Sequence, residues 1–286
     1  MVVWNVFCIF AVEMAKHRIA TSPPLGQCSV VLSNLSIGYK TKKGLHVVYS
    51  GMGASILPGR LTCLLGENGV GKSTLLRTLA GFQPAVSGGV ELAGRRLEDY
   101  SDRELAQTIG VVLTEKPDVG LMTVYELVAL GRSPYTDFWG RLTDEDRAAV
   151  GKAIDMVGIS RLASRQVATL SDGERQKVMI AKALAQDTAI IFLDEPTAFL
   201  DYPSKVDVLL LLRRICHESD KAIFLSTHDL ELSLQAADTL WLMTHQDGLI
   251  TGTPQELAHN GALKRFVEKN SSVTFDEQRL SVTISA

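Results

Sequence analysis

The chain has 286 residues, 46% of them apolar and 21% charged, with a formal net charge of −3. This is ordinary globular usage with enough chain for a real hydrophobic core, and 23 glycines with 9 prolines exclude collagen-like and low-complexity chains. The slightly negative balance argues against a large basic surface for non-specific nucleic-acid binding.

Residues 1–12 (MVVWNVFCIFAV) are apolar but short, and no Lys or Arg precedes the run as it would in a signal peptide. Met14 follows, with Lys16, His17 and Arg18 behind it. Residues 1–26 therefore read as an N-terminal extension with Met14 as an alternative start, and 21–26 (TSPPLG) as a linker into the fold. No apolar run reaches the ~20 residues that cross a bilayer. The four cysteines, Cys8, Cys28, Cys63 and Cys216, include no close pair. They make no zinc or redox motif and are expected to be free thiols.

Residues 29–35 (SVVLSNL) alternate as a half-buried strand does, 45–57 have a similar texture, and Pro58-Gly59 marks a turn. A short apolar run at 60–65 (RLTCLL) ends at a glycine-rich loop, and 73–80 reads as a helix, which gives the order strand, glycine loop, helix. Residues 97–158 are rich in helix formers and predict a helical insertion. The runs 189–193 (AIIFL) and 222–226 (AIFLS) are of buried parallel-strand type, with a leucine-faced helix over 203–217 between them. Strands alternating with helices predict an α/β fold. The tail at 272–284 alternates around Asp276-Glu277-Gln278 and reads as a small hairpin.

Residues 66–74 (GENGVGKST) match the phosphate-binding pattern GxxxxGK[ST]. Gly66, Asn68, Gly69, Gly71 and Thr74 belong to a loop whose amides surround phosphate oxygens, backed by the positive end of a helix. Lys72 reaches the β and γ phosphates, and the Ser73 hydroxyl is a ligand for Mg²⁺. Residues 189–196 (AIIFLDEP) supply the second half of such a site: Asp194 for the Mg²⁺ shell and Glu195 to polarise the attacking water. Ser171 and Glu174, within 170–176 (LSDGERQ), form an S-x-x-E capping box that opens a helix toward an anion.

LSDGERQ is also similar to the signature of ATP-binding-cassette (ABC) proteins, and from 29 to about 257 the chain resembles that family. The resemblance implies a P-loop NTPase cassette, a RecA-like core with an antiparallel β subdomain and a helical subdomain, with ATP and Mg²⁺ as ligands. It places the cassette at 27–258, its helical subdomain at about 98–165, and a tail at 259–286. In this family two cassettes pair head to tail, so Ser171 and Gly173 would contact the γ phosphate held by a second copy. Tyr39 matches the aromatic that stacks on adenine, Asp201 a residue that meets the partner subunit, and His228 the histidine that senses the γ phosphate. In the family a strand that usually ends in glutamine leads into the insertion; 109–115 (IGVVLTE) matches it, with Thr114, a shorter metal-facing hydroxyl, at the glutamine position. Its neighbour Glu115 is either a substitute ligand or an exposed loop acid. Asp172 and Glu174 stand where Gly and Gln are usual, which weakens attraction for phosphate unless they point away.

Residues 122–135 (MTVYELVALGRSPY) resemble the ATPases of importers for ferric siderophores, haem and cobalamin, and 252–257 fits the G-x-P-x-E-L end of such cassettes. The resemblance implies a homodimer of ATPase subunits, two transmembrane permease subunits, an upstream substrate-binding protein, and a peripheral position on the cytoplasmic face of the membrane. The alternative is an ABC ATPase working on nucleic acid, ribosomes or iron–sulfur assembly. Such proteins tend to carry tandem cassettes, coiled coils or zinc modules, none of which is seen. A P-loop kinase or GTPase has no use for LSDGERQ, and no guanine-reading NKxD is present.

Overall fold

A computed structural model describes residues 30–41, 44–114, 119–268 and 273–284. The extension at 1–26 with Met14, and Glu115, lie outside the described residues. Two sheets organise the chain. Strands β1 (Val30–Thr41), β2 (Gly44–Ile56), β4 (Ser87–Leu92) and β5 (Arg95–Arg96) form an antiparallel sheet in the order β2-β1-β4-β5. The central sheet runs β10-β9-β3-β8-β7-β6, with β3 (Leu61–Gly66), β6 (Ile109–Val112), β7 (Ile190–Asp194), β8 (Ala222–Ser226) and β9 (Thr239–Thr244) parallel and β10 (Gly248–Gly252) antiparallel at its edge.

The apolar runs of the parallel strands are buried on both faces because each face meets a different layer. In β7, Ile190 and Phe192 face the antiparallel sheet, while Ile191 and Leu193 face the helices. Phe224 of β8 stacks edge-on between Phe192 and Trp241, at centroid distances of 5.9 and 5.0 Å. Helix α1 (Lys72–Leu79) also packs into the layer between the sheets. The Tyr49 hydroxyl on β2 donates to the Thr244 carbonyl on β9 at 2.8 Å, which ties the two sheets together.

The helical layer starts later than the composition suggests. Helix α2 (Asp102–Thr108) leads directly into β6, which pairs with β7 as the edge of the central sheet. The strand expected at 109–115 is observed over Ile109–Val112. Helices α3 (Val124–Ala129) and α4 (Asp144–Met156) pack on α5 (Asp172–Ala185). A backbone clasp closes the neck of this insertion: Thr123 bridges Gln166, Val124 N–H donates to Arg165 O, and Val167 N–H to Met122 O, each bond 2.9 Å. Helix α6 (Tyr202–Ser219) joins β7 to β8, and α7 (Leu230–Ala236) joins β8 to β9. After β10 come α8 (Pro254–His259), α9 (Ala262–Val267) and the hairpin of β11 (Val273–Asp276) and β12 (Ser281–Ile284). No described helix is long and apolar enough to cross a membrane.

A buried ion pair fastens the insertion to α5. Arg132 Nε donates to Asp146 Oδ1 at 2.8 Å, and its Nη1 to Ala185 O at 2.9 Å, with side-chain exposures of 10% for Arg132 and 4% for Asp146. Gly131 beside it has no room for a side chain, since a Cβ there would lie 2.2 Å from Lys182 O. Removing one partner of a buried pair strands the other charge, so Arg132→Met is expected to cost about 3 kcal/mol in urea unfolding at neutral pH. Burial raises the Asp146 carboxyl, but hydrogen bonds from Thr143 and Arg132 outweigh it and hold the group below its ordinary range. The ionised form therefore stabilises the fold fully above the unfolded value of about 3.9. That contribution is lost as pH falls through the lower folded value, so the gap between wild type and variant is expected to narrow below about pH 4.

Candidate nucleotide site

The parallel strands end along one edge, and the sequence motifs sit on those ends. Such an edge is where open α/β sheets bind ligands. Gly66 closes β3, Asp194 closes β7 and Ser226 closes β8, with Asp194 and Ser226 directly paired in register. Asn68 and Gly69 are exposed on the loop between β3 and α1. Gly71 sits at φ 111°, and a Cβ there would lie 2.5 Å from Val48 Cγ1, so only glycine makes this turn into α1. Lys72 is nearly buried and donates from Nζ to Gly66 O at 2.9 Å and Glu67 O at 3.3 Å. Burial lowers the Lys72 ammonium from its ordinary value, and the charges of Glu195 and Asp194 pull it partly back.

Asp194, 8% exposed, accepts on Oδ1 from the Ser226 hydroxyl at 2.6 Å and the Ser73 hydroxyl at 3.3 Å. A nearly buried carboxylate held by two neutral hydroxyls, all hard oxygen donors, fits a hard divalent cation lying beside a phosphate. The Thr114 hydroxyl donates to the Asp194 backbone carbonyl at 2.7 Å, so its proton is committed to the end of β7. Its oxygen keeps acceptor capacity.

Glu195 has the uncommon φ of 48° for a non-glycine residue, a conformation that costs about 1–3 kcal/mol and persists only where the surroundings impose it. Ser226 does so: the Glu195 N–H donates to Ser226 Oγ at 3.0 Å and lies 3.2 Å from Ser226 O. The Glu195 carboxylate then lies 2.6 Å from His228 Nε2. Asp229 braces the following loop, accepting from Thr197 Oγ1 at 3.2 Å and from Lys205 Nζ at 3.1 Å. Sequence reasoning missed Ser226 and Asp229. They flank His228 within LSTHD; the β7–β8 register sets Ser226 against Asp194, and Asp229 meets Thr197 and Lys205 from the segment between those strands.

The remaining residues gather at the N-terminal ends of α5 and α6. Ser171 caps α5, its hydroxyl accepting from Glu174 N–H at 3.3 Å, while Glu174 Oε2 accepts from Ser171 N–H at 3.1 Å and from Ser171 Oγ at 3.2 Å. The Ser171 N–H holds the Glu174 carboxyl below its ordinary range, so this acid is turned back onto its own helix end. A Cβ at Gly173 would sit 3.1 Å from Ser204 Oγ, and Asp201 caps α6 by accepting from Ser204 N–H at 3.1 Å. Hydrogen bonds from the Ser204 side chain and N–H lower the Asp201 carboxyl from its ordinary value. Asp172 lines a small cavity with Thr114 and Glu195. Tyr39 is 49% exposed, its ring 5.1 Å from that of His46, a neighbour the sequence did not suggest.

The family model described as ABC transporter matches residues 49–198. An uncharacterized ABC transporter ATP-binding protein of Methanocaldococcus jannaschii is 42% identical over 224 residues, 78% of this chain and 76% of that protein. The ferric enterobactin transport ATP-binding protein of Escherichia coli is 37% identical over 231 residues, 81% of this chain and 84% of that protein. Among solved structures, a cassette from Clostridium perfringens described as part of an ABC transporter complex aligns with a TM-score of 0.70 at 29% identity, covering 82% of this chain and 92% of that one. Motif geometry, family match and relatives agree: the chain belongs to the ABC transporter family, as an ATP-binding, ATP-hydrolysing cassette.

Proposed function

We propose that two copies pair head to tail, with the Ser171–Gly173 helix end of each closing on the nucleotide held by the Lys72 loop of the other. On this reading ATP hydrolysis drives uptake of an iron–siderophore, haem or cobalamin-type ligand through two transmembrane permease subunits. The observation that carries it is the arrangement of the site: Lys72, Ser73, Asp194, Glu195 and His228 gather at the strand ends, while Ser171 caps α5 and Gly173 and Asp201 meet at Ser204, at the N-terminal ends of α5 and α6. Phe199 and Tyr202, 76% and 63% exposed, flank Asp201 on the surface expected to meet the second copy.

The roles follow from chemistry. The loop amides around Gly66, Asn68, Gly69, Gly71 and Thr74 cradle phosphates, with Lys72 moving from its backbone carbonyls to phosphate oxygens. Tyr39 offers a face to the adenine. Ser73 and Asp194 would hold Mg²⁺, which would supply charge neutralisation to the phosphates, with the Thr114 hydroxyl on the Asp194 backbone carbonyl as the neighbouring oxygen. Glu195 takes the proton of the attacking water, and His228, hydrogen-bonded to it, reports the γ phosphate.

The helical insertion offers the docking face for the permeases. It has an open groove lined by Leu121, Met122, Tyr125, Glu126 and Leu130, with Leu121 78% exposed. The importer-like string at 122–135 lies along this groove, and the ferric enterobactin transport of the Escherichia coli relative supports the ligand class. Such a chain works at the cytoplasmic face of the membrane, behind a substrate-binding protein on the other side. Affinity capture of the tagged chain from detergent-solubilised membranes of its host tests the reading. Polytopic permease subunits are expected to co-purify; recovery of nucleic acid or ribosomes without them contradicts it.

A further inference from the structure

Three side chains with metal-ligating atoms converge at the opposite end of the central sheet from the phosphate loop. Cys216 and His217 lie in the last turn of α6, and Asp238 immediately precedes β9. The Cys216 sulfur, a His217 ring nitrogen and an Asp238 carboxylate oxygen all lie within 4.8 Å of one another. Asp238 Oδ2 accepts the Leu61 N–H at 2.8 Å, which fixes the cluster at the start of β3, whose far end carries Gly66. The same oxygen lies 2.9 Å from His217 Nε2. The Cys216 sulfur is oriented by its bond to Arg213 O at 3.0 Å.

We propose that Cys216, His217 and Asp238 form a binding site for a thiophilic divalent metal ion of the zinc class, with solvent as the fourth ligand. One thiolate, one imidazole and one carboxylate are the donor types zinc takes, and three protein ligands with an open position make a recognised arrangement. Neighbouring ligand atoms in a tetrahedral zinc site lie about 3.5 Å apart, so ligation needs the widest separation here to close by about 1 Å and the 2.9 Å contact of His217 with Asp238 to open slightly. Two further features favour a cation here. The cluster caps the negative end of α6, an 18-residue helix. It is also reachable, since the His217 side chain is 43% exposed and that of Asp238 17%, while Cys216 forms the buried floor. None of these three residues belongs to the nucleotide site, so the proposal stands apart from the Mg²⁺ reading there.

Cobalt(II) titration of the full chain, with excess Mg²⁺ and ATP present, tests it. A thiolate-to-cobalt charge-transfer band in the near ultraviolet is expected to saturate at one equivalent and to be displaced by Zn²⁺. It should vanish in Cys216→Ser and weaken at least tenfold in affinity in His217→Ala, whose exposed side chain can be removed without disturbing the core. Cobalt at the nucleotide site meets only oxygen donors and gives no such band. Absence of the band in the wild-type chain, or an unchanged band in both variants, overturns the proposal.

Discussion

Glu195→Gln is expected to lower ATP turnover by about 10²–10⁴-fold while ATP binding persists, as loss of a general base does. The substitution keeps the shape of the side chain and a hydrogen-bonding partner for His228, now 2.6 Å from the carboxylate. It leaves the Glu195 N–H on Ser226 and the φ of 48° in place. What disappears is a carboxylate able to accept a proton. Phosphate release measured beside equilibrium ATP binding separates the two properties. A loss of less than tenfold would mean that some other group activates the water.

Lys72→Ala is expected to act one step earlier, on nucleotide binding. Lys72 is 6% exposed, and its ammonium rests on the carbonyls of Gly66 and Glu67, held at the mouth of the phosphate loop. A charged hydrogen bond to phosphate is worth about 1.5–3 kcal/mol, so the Kd for ATP should rise by about 10–100-fold in calorimetric titration. Lys72→Arg should not restore it, because a planar guanidinium fork replaces a compact point charge in a nearly buried slot. An unchanged Kd in Lys72→Ala would remove the lysine from the phosphate site.

How far the sequence could be read depends on how locally each feature is encoded. The phosphate loop is nine consecutive residues, and the β3-loop-α1 unit that carries it is equally local, so GENGVGKST was legible. The runs AIIFL and AIFLS announced parallel strands because both of their faces are buried. The S-x-x-E spacing of Ser171 and Glu174 likewise stated its own capping box.

Features made by register or by distant pairing were hidden. Ser226 holds Asp194 across 32 residues, through the pairing of β7 with β8. Thr114 was read by analogy as a metal-facing hydroxyl; its bond to Asp194 O depends on where β6 ends against β7. The short β6 was reached only through the family resemblance, and the neck clasp joins Thr123 to Gln166, two residues that no local pattern connects. Cysteine spacing likewise shows no motif around Cys216, because its neighbour Asp238 comes from the far end of α7.

The head-to-tail sandwich is the central claim, and light scattering on size-exclusion chromatography of Glu195→Gln, with and without ATP and Mg²⁺, tests it most directly. If each copy completes the other's site, the protein is a monomer that becomes a dimer only when ATP is bound. A monomer under both conditions, with ATP binding verified on the same sample, would contradict a sandwich that the cassette assembles by itself.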